Sequence, residues 1–397
     1  MRGLTPQVQQ IVQKTIRAQE ASSAETKPFF VADLTKVEEM YEQWTVELPR
    51  VKPYYAVKCN LDRELIQTLD SLGAGFDCAS INEIQHVINL DISPSRILFS
   101  NPIKSPASLR YAREVGVQIL TFDNSDELSK IRTHYPKALL LFRILVNDHA
   151  SVTPLGSKFG ATICSAGKLL RQAVDLNLQI VGVTFHVGSG SMDPDAWAEA
   201  IKEALPVFEL VAMNDIHGPP LKILNIGGGF TPENFPLATE RIRARLKASV
   251  PDDVEIFAEP GRLFASHAFT LTAQVIGKRS QDEATSHDCG TGRLYLNDGV
   301  YGNFMNAVFE KPSYQPIAVV KAYDTYPQIG QGEFVYSLWG PTCDSSDCIS
   351  KSVVFDRDVQ VGDWLVFENM GAYTDACQTK FNGFGESAAT QYLPVSR

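Results

Sequence analysis

Between about residues 50 and 265, short apolar segments alternate with longer segments of helical periodicity. The apolar segments are rich in β-branched and aromatic residues, and each ends in polar residues or glycine, which is typical of buried strands. We predict eight strands in this region, at Pro53–Lys58, Gly75–Ala79, Ile97–Ser100, Gln118–Asp123, Leu139–Val146, Ile180–His186, Lys222–Ile226 and Val254–Glu259.

The segments between these strands carry the boundary signals of helices. The helix Arg63–Leu72 is predicted to end at Gly73, and the next helix to begin at Ser105-Pro106 and end at Gly116. Ser125 is predicted to cap a helix that Pro136 stops, and Ser165 to cap another. Asp193-Pro194 is predicted to begin the long helix Asp195–Asn214. Eight strands that alternate with helices are the pattern of an α/β fold of the TIM-like (β/α)₈ barrel type. A doubly wound open sheet gives the same alternation, and the number of strands favours the barrel.

After about residue 267 the pattern changes to short strand-like segments without long helices between them. This indicates a C-terminal, mostly antiparallel β domain. Its predicted strands are Phe269–Ile276, Arg293–Asn297, Pro316–Ala322, Phe334–Trp339, Ser352–Asp356 and Asp363–Glu368. We therefore place the barrel at residues 33–267 and the β domain at 268–397, with residues 26–32 adding an N-terminal strand. The first 25 residues are expected to be a loosely held arm.

The amino-acid composition argues against several classes of protein. The 397 residues carry 36 Lys+Arg against 46 Asp+Glu, a net charge of −10, which argues against a nucleic-acid partner. Seven cysteines are scattered without the spacing of a disulfide framework or a metal site. Neither a signal peptide nor a run of 18 apolar residues is present. We expect a cytoplasmic protein with no membrane partner and no metal.

Polar side chains or glycines follow nearly every predicted barrel strand. Active sites of such barrels lie at the C-terminal ends of the strands, so these residues are candidates for one common site. They are Lys58, Asp77, Asn101, Asp123, Arg143, His186, Gly227–Gly229 and Glu259–Arg262.

Lys58 follows an apolar strand, where desolvation would lower the pKa of its amine and suit it to form a Schiff base with a carbonyl compound. The alternative is a lysine that reaches solvent at the barrel rim. A carboxylate such as Glu259 beside a heterocyclic nitrogen would keep that nitrogen protonated. The alternative for Glu259 is an ion pair with Arg143 or Arg262.

The three glycines Gly227–Gly229 directly follow a predicted strand and expose backbone N–H groups to which a phosphate can bind. Arg262, at the end of the next strand, could add a bidentate contact, and His186 and Ser189 offer a flat ring and a hydroxyl. The alternatives are a tight turn and a structural histidine. Together with Lys58 and Glu259, the set indicates a pyridoxal 5′-phosphate site.

Two further candidates lie in the β domain. The turn Gly340-Pro341 would display Cys343 and Asp344, a reactive thiol and a carboxylate suited to a cationic substrate end. The alternative is an acidic surface loop. Tyr373 follows an apolar strand and could reach a phosphate, or it could be a tyrosine at the edge of the core.

These motifs resemble the eukaryotic-type ornithine decarboxylase family, in the barrel-fold (fold type III) class of pyridoxal phosphate-dependent decarboxylases. The likeness runs from about Phe29 to Phe384. It is carried by Tyr55–Asn60, Gly75–Ser80 with Glu83, Phe185–Gly190, Gly227–Gly229, Glu259, Arg262, Cys343-Asp344 and Tyr373.

The resemblance implies decarboxylation of a basic amino acid, L-ornithine to putrescine and CO₂ in polyamine biosynthesis, with pyridoxal 5′-phosphate as cofactor. It implies a homodimer whose two active sites each take Cys343 and Asp344, and Phe381, from across the interface. The implied catalytic residues are Lys58, Cys343, His186 and Glu259. The implied cofactor ligands are Lys58, Asp77, Arg143, His186, Ser189, Gly227, Gly228, Gly229, Glu259, Gly261, Arg262 and Tyr373. The implied substrate contacts are Asp344, Glu310, Phe309 and Phe381.

At one point the chain departs from the family pattern. After Asp298–Gly302 the family carries a Tyr-Asp pair whose Asp binds the distal amine of the substrate, and this chain has Phe309-Glu310. One methylene in a pocket is worth roughly 1–3 kcal/mol of discrimination. A specialised paralogue that decarboxylates lysine or a secondary-metabolite precursor is therefore an alternative.

Three other functions are weighed against this one. A non-catalytic protein of the antizyme-inhibitor type would not need Lys58, Glu259 or Cys343. Alanine racemase shares the fold class but is expected to pair its pyridine nitrogen with arginine. Diaminopimelate decarboxylase has suitable chemistry, but Asp344 and Glu310 suit a distal cation rather than a second carboxylate.

Overall fold

The computed structural model describes residues 4–212, 220–280, 291–312, 314–320, 332–385 and 388–394. The strands within these residues are β1 Phe29–Ala32, β2 Val51–Ala56, β3 Gly75–Cys78, β4 Ile97–Phe99, β5 Ile119–Phe122, β6 Leu139–Arg143, β7 Ser151–Thr153, β8 Gln179–Thr184, β9 Ser189–Ser191, β10 Ile223–Asn225, β11 Glu255–Ala258, β12 Phe269–Arg279, β13 Gly292–Leu296, β14 Ala318–Val320, β15 Phe334–Trp339, β16 Cys348–Phe355, β17 Trp364–Phe367 and β18 Ala389–Tyr392.

The α-helices are α1 Pro6–Glu20, α2 Thr35–Glu47, α3 Arg63–Leu72, α4 Ile81–Ile88, α5 Pro106–Val115, α6 Ser125–His134, α7 Ile163–Asp175, α8 Ala196–Ala212, α9 Phe235–Ser249, α10 Arg262–Ala265 and α11 Asn306–Phe309. The chain divides into two compact units. The barrel unit is Val37–Phe264, and the β unit combines Met1–Lys36 with Ala265–Arg397.

In the barrel unit, eight parallel strands close into a barrel in the order β10-β11-β2-β3-β4-β5-β6-β8. The ring closes where β11 pairs with β2, with Ile256 opposite Val51. The short antiparallel pair β7 and β9 lies outside this ring. The predicted (β/α)₈ barrel is confirmed, and an open doubly wound sheet is excluded because the first and last strands are hydrogen-bonded to each other.

Local sequence explains where the barrel helices begin and end. The Asp62 side chain accepts a hydrogen bond from Leu65 N and caps α3, and Gly73 ends that helix with a φ of 96°. Two predicted caps were displaced. Asn124 rather than Ser125 caps α6, and α7 begins after Thr162 rather than at Ser165. Asn, Ser and Thr are all favourable caps, so composition alone does not choose between neighbours.

In the β unit, the main sheet has the order β14-β17-β12-β13-β15-β16. Most of its pairs are antiparallel, β13 and β15 being parallel. Strand β1 joins it against β12, with Phe29 opposite Thr272, and β18 pairs with β1 in parallel. The mostly antiparallel β domain is thus confirmed. The predicted ends at Asn214 and Ala322, and Cys289, lie outside the described residues.

The prediction of a loosely held N-terminal arm was wrong. Residues 6–20 form helix α1, which Thr5 caps through a hydrogen bond from Val8 N. The apolar side chains that it buries recur every four residues and so form one stripe. This stripe packs in a core cluster of the β unit that consists of Leu4, Val8, Val12, Ile16, Phe29, Val31, Ala318, Trp364 and Val366. Burial of the stripe is what holds the segment.

Among the described residues, no helix is long and apolar enough to cross a membrane.

Candidate active site

Lys58 and Asp77 form an ion pair at the C-terminal rim of the barrel. Lys58 lies in a short 3₁₀ turn, Val57–Cys59, directly after β2, and its Nζ is 2.6 Å from Asp77 Oδ2. Asp77 belongs to the neighbouring strand β3 and is completely buried. Its second oxygen, Oδ1, is buried without a hydrogen-bond partner. The Lys58 side chain is 42% exposed and paired with this carboxylate, which matches the alternative of a lysine that reaches solvent at the barrel rim.

Glu259 follows β11 and is buried at the same rim. Its Oε1 accepts hydrogen bonds from Ser100 Oγ at 3.0 Å and from Asn225 Nδ2 at 2.6 Å. Burial, together with the negative charge of Asp77, raises the pKa of Glu259 to about 7. The carboxyl group can therefore hold or release a proton near neutral pH.

Arg143 ends strand β6, and its guanidinium lies 5.1 Å from the centre of the Phe159 ring. Burial lowers the pKa of Arg143, and the carboxylates of Glu259, Asp123 and Asp77 act in the opposite direction. Arg143 is thus a second cation at the rim, besides Lys58, and it lies near three acidic side chains.

His186 follows β8 and is neutral. Burial lowers its pKa well below the ordinary value, and the positive charges of Arg143 and Lys58 act in the same direction. Its Nδ1 accepts a hydrogen bond from the Gly188 N–H at 3.0 Å, which places the ring proton on Nε2. A flat, neutral ring of this kind suits packing against a planar ligand.

The three glycines after β10 form a cradle into which no other residue type fits. Gly227 and Gly229 have φ values of +65° and +102°, which favour glycine. A Cβ at Gly227 would lie 2.2 Å from Phe185 O, and one at Gly228 would lie 2.9 Å from His186 Nε2. Glycine is therefore required here because the neighbouring backbone and the His186 ring approach closely.

Three more residues, Ser189, Gly261 and Arg262, belong to the same end of the barrel. Ser189, in β9, accepts a hydrogen bond from Arg262 Nη2 at 3.4 Å. Gly261 precedes Arg262, and a Cβ there would lie 3.0 Å from Cys59 Cβ, beside the turn that carries Lys58. The barrel rim thus combines an amine, a carboxyl group of pKa near 7, a neutral ring, a glycine cradle and an arginine–serine pair.

This set fits pyridoxal 5′-phosphate. The glycine cradle and the Arg262–Ser189 pair match a phosphate, and a raised-pKa carboxyl group matches a pyridine nitrogen. The buried, unpartnered Asp77 Oδ1 next to Lys58 is an acceptor that the protein itself does not satisfy. The structure thus places Lys58, Asp77, Arg143, His186 and Glu259 close together at one end of the barrel.

The β unit holds a second cluster of candidate residues. Cys343 and Asp344 lie on the loop between β15 and β16, with Cys343 exposed. The Tyr301 hydroxyl donates a hydrogen bond to Asp344 Oδ2, and this bond is the largest cause of the lowered pKa of Asp344. The Tyr301 ring also lies 4.4 Å from the Phe381 ring, centre to centre. Asp344 is thus an ionised carboxylate in an aromatic setting.

Asp347 is a residue that sequence reasoning missed. It is 1% exposed and accepts hydrogen bonds from Val300 N at 2.8 Å and from Thr342 N and Oγ1 at 3.1 and 2.7 Å. These bonds fix the loop that carries Cys343 to the segment that carries Tyr301. A buried acid in a loop of small polar residues gave no sequence signal that separates it from a surface acid.

The other β-unit candidates are placed as follows. Phe309 is the last residue of α11 and is 70% exposed, and Glu310 follows it as the helix C-cap. Tyr373 is partly buried and adopts a left-handed φ of +56°, which is uncommon for a bulky residue. Strain of this kind persists where the surrounding structure needs the side chain in one direction.

Ser100 and Asn225 were also missed. Both are neutral polar residues at strand ends, Ser100 after β4 and Asn225 as the last residue of β10. Position at the rim was the only available signal. Their role became visible from the hydrogen bonds to Glu259.

Comparison with protein families agrees with this site. The family model "Pyridoxal-dependent decarboxylase, pyridoxal binding domain" matches residues 34–266. Decarboxylase flvG of Aspergillus flavus is 44% identical over 374 residues, which are 93% of this chain and 86% of that protein. Ornithine decarboxylase of Neurospora crassa is 41% identical over 393 residues, 92% of this chain and 80% of that protein.

A solved structure shows the same fold. The Paramecium bursaria Chlorella virus arginine decarboxylase, determined with bound agmatine, superposes with a TM-score of 0.87 at 38% sequence identity. The match covers 97% of this chain and 100% of the viral chain.

Proposed function

Because this chain belongs to the family of pyridoxal-dependent decarboxylases, we propose that it converts L-ornithine to putrescine and CO₂, a reaction of polyamine biosynthesis. The observation that carries the choice of a basic amino acid is the ionised carboxylate of Asp344, which Tyr301 holds in place. An ammonium group at the far end of the substrate needs such an anionic partner when it leaves water. The likeness to the Neurospora crassa ornithine decarboxylase supports ornithine as the first candidate.

Each residue of the rim has a proposed role toward the cofactor. Lys58 holds the aldehyde, and Glu259 meets the ring nitrogen while His186 packs on the ring face. The phosphate ligands are Ser189, Gly227, Gly228, Gly229, Gly261, Arg262 and Tyr373. Asp77 and Arg143 are proposed cofactor contacts that also set the local charge. When bound, the cofactor would supply an electron sink for the electron pair that the broken Cα–carboxyl bond leaves on the α-carbon.

The protein's own groups control the protons. Glu259, with a pKa of about 7, would share a proton with the ring nitrogen and so favour electron withdrawal by the ring. Lys58 is the amine next to the reacting atoms, and Asp77 holds it at the rim between turnovers. Cys343 is proposed to deliver or block the proton that the α-carbon receives after CO₂ has left.

We propose that the active unit is a homodimer. In the family pattern Cys343, Asp344 and Phe381 act on the active site of the other subunit, so each site would be complete only in the dimer. The exposure of the Cys343 side chain in the single chain supports this assignment. Cys78, Cys164 and Cys343 are free thiols, which supports a reducing, cytoplasmic location.

A second candidate function is a specialised decarboxylase for a related amino acid, such as lysine or a secondary-metabolite precursor. The observation that favours it is Phe309-Glu310 at the place of the family's Tyr-Asp pair. The longer Glu310 side chain would shorten the distal pocket if it points there. A non-catalytic binding protein is disfavoured, because the complete rim set from Lys58 to Arg262 would serve no purpose in it.

Product analysis decides between these substrates. The purified protein, loaded with pyridoxal 5′-phosphate, is incubated with ornithine, lysine and arginine separately, and the amines are identified by mass spectrometry. Putrescine as the dominant product supports the proposal, and a dominant amine from another substrate supports the specialised paralogue. Glu310→Asp should raise kcat/KM for ornithine by roughly tenfold if Glu310 lines the distal pocket. An unchanged substrate profile would place Glu310 outside it.

A further inference from the structure

Asn225 contacts two parts of the proposed cofactor site. It is completely buried at the end of β10. Its Oδ1 accepts a hydrogen bond from the Gly227 N–H at 2.9 Å, and its Nδ2 donates to Glu259 Oε1 at 2.6 Å. One amide thus contacts the first glycine of the cradle and the carboxyl group proposed for the ring nitrogen.

The orientation of this amide is determined by its partners. A backbone N–H can only donate, so the amide oxygen must face Gly227 and the NH₂ group must face Glu259. A flipped amide would set two donors against each other at Gly227. Asn225 therefore acts as a donor toward Glu259 in every protonation state of that carboxyl group.

Ser100 donates to the same oxygen of Glu259, at 3.0 Å. With two donors on Oε1, the acid's second oxygen, Oε2, is the one that can take part in a hydrogen bond with a cofactor nitrogen. The electrostatic surroundings of Glu259 also include Asp77, Lys58 and Arg143. These three charges act on the whole carboxyl group, whereas Asn225 and Ser100 select between its oxygens.

We propose that Asn225 is a positioning residue that couples the phosphate cradle to the ring-nitrogen acid, by holding Gly227 and presenting Glu259 Oε2 to the cofactor. The inference rests on the proposed cofactor roles of Glu259 and the glycines and does not depend on which amino acid is the substrate. An uncharged donor matters at this position, because an aspartate would place a second carboxylate against Glu259 and force the two to share a proton.

Four variants separate the effect of Asn225 on the glycine cradle from its effect on Glu259. Asn225→Ala removes both hydrogen bonds. Asn225→Asp keeps an acceptor for Gly227 and replaces the NH₂ donor with a carboxyl group that must share a proton with Glu259. Ser100→Ala removes only a donor to Glu259. Asn234→Ala leaves Glu259 untouched and removes contacts on the cradle side: Asn234 Nδ2 donates to Gly229 O at 3.0 Å and to Ser191 O at 2.8 Å, and its Oδ1 accepts from Thr231 N at 2.9 Å.

One measurement reports on the phosphate cradle and another on Glu259. The ratio of the dissociation constants of pyridoxal and pyridoxal 5′-phosphate for the apoprotein measures how well the cradle holds the phosphate. The midpoint of the pH titration of bound-cofactor absorbance measures the proton shared by Glu259 and the ring. Neither measurement uses catalytic activity.

For Asn225→Ala we expect the affinity ratio to fall about tenfold and the pH midpoint to rise by about one unit, since the carboxylate has lost a donor that stabilised its charge. Asn225→Asp and Ser100→Ala should shift only the midpoint, upward, and Asn234→Ala only the ratio. If wild type binds the cofactor and Asn225→Ala changes neither quantity, or only one, the coupling is refuted. If Asn225→Ala does not fold, Asn225→Asp decides, and an unshifted midpoint there refutes the inference. If wild type does not bind the cofactor, the proposed function fails instead.

Discussion

Lys58 Nζ lies 2.6 Å from Asp77 Oδ2, so the candidate attachment lysine is held by a completely buried carboxylate on the adjacent strand. The pairing fixes the amine at the barrel rim. It also gives the buried Asp77 carboxylate a counter-charge. Without that counter-charge the burial of Asp77 would be costly, because its Oδ1 has no hydrogen-bond partner.

Removal of the lysine charge should therefore destabilise the apoprotein. We expect Lys58→Met to lower the free energy of unfolding at neutral pH by about 1–3 kcal/mol, because Asp77 is left without its counter-charge. The double variant Lys58→Met/Asp77→Asn should recover most of this loss. Urea unfolding of the four proteins in the cycle checks the prediction, and a double variant as unstable as Lys58→Met would contradict it.

The stability of the apoprotein should fall as pH rises through the range in which Glu259 loses its proton. The pKa of Glu259 is about 7 in the folded protein against an ordinary value of 4.5, so the folded state binds the proton more tightly. The stabilisation is fully present below the unfolded pKa and is lost as pH rises to the folded pKa. Glu259→Gln should flatten this dependence between about pH 5 and about pH 7.5.

Chemical denaturation at several pH values measures that slope. Asp298 provides a control for the comparison, because its pKa is raised to about 6. Its contribution to the pH dependence of stability therefore has the same sign in wild type and in Glu259→Gln. Equal slopes for wild type and Glu259→Gln would show that Glu259 does not titrate in this range.

Asp347 should control the geometry of the Cys343 loop. Asp347→Ala leaves Val300 N and Thr342 N without their acceptor, which we expect to cost about 1–3 kcal/mol of stability. The exposed Cys343 thiol should then react with iodoacetamide at a different rate, while the exposed Cys164 serves as an internal control. Peptide mass spectrometry follows both sites, and an unchanged Cys343 rate would mean that the loop keeps its shape without Asp347.

Helix α1 should be a structural part of the β unit. Ile16 is 2% exposed in the core cluster with Trp364 and Val366. Ile16→Ala should therefore lower the free energy of unfolding by about 2–4 kcal/mol. The matched change at an exposed position of the same helix, Gln13→Ala, should have an effect within about 0.5 kcal/mol. Similar small effects at both positions would restore the view of a loosely held segment.

The sequence was sufficient for the barrel and for the charged part of its rim. Strand periodicity located all eight strands, and Lys58, Glu259 and Gly227–Gly229 stood out because their residue types are unusual at the end of an apolar strand. What the sequence could not supply was side-chain direction. Lys58 follows buried residues, yet its side chain is 42% exposed because the chain turns directly after β2.

The neutral and structural residues were harder to identify for a related reason. Ser100 and Asn225 acquire their role from a carboxyl group more than 30 residues away along the chain, and local sequence carries no trace of that contact. Helix α1 was missed because glutamines and charged residues surround its apolar stripe. The four-residue spacing of Val8, Val12 and Ile16 was the signal that predicts the helix.

The most direct test of the central claim measures CO₂ and amine together. The cofactor-loaded protein is given carboxyl-labelled ornithine, with Lys58→Ala as the matched control. We predict equimolar labelled CO₂ and putrescine from wild type, and a rate at least about 10³-fold lower from Lys58→Ala, whose loss removes the nucleophilic amine. Absence of CO₂ release by the cofactor-loaded wild type from every basic amino acid tested, or undiminished release by Lys58→Ala, would contradict the account.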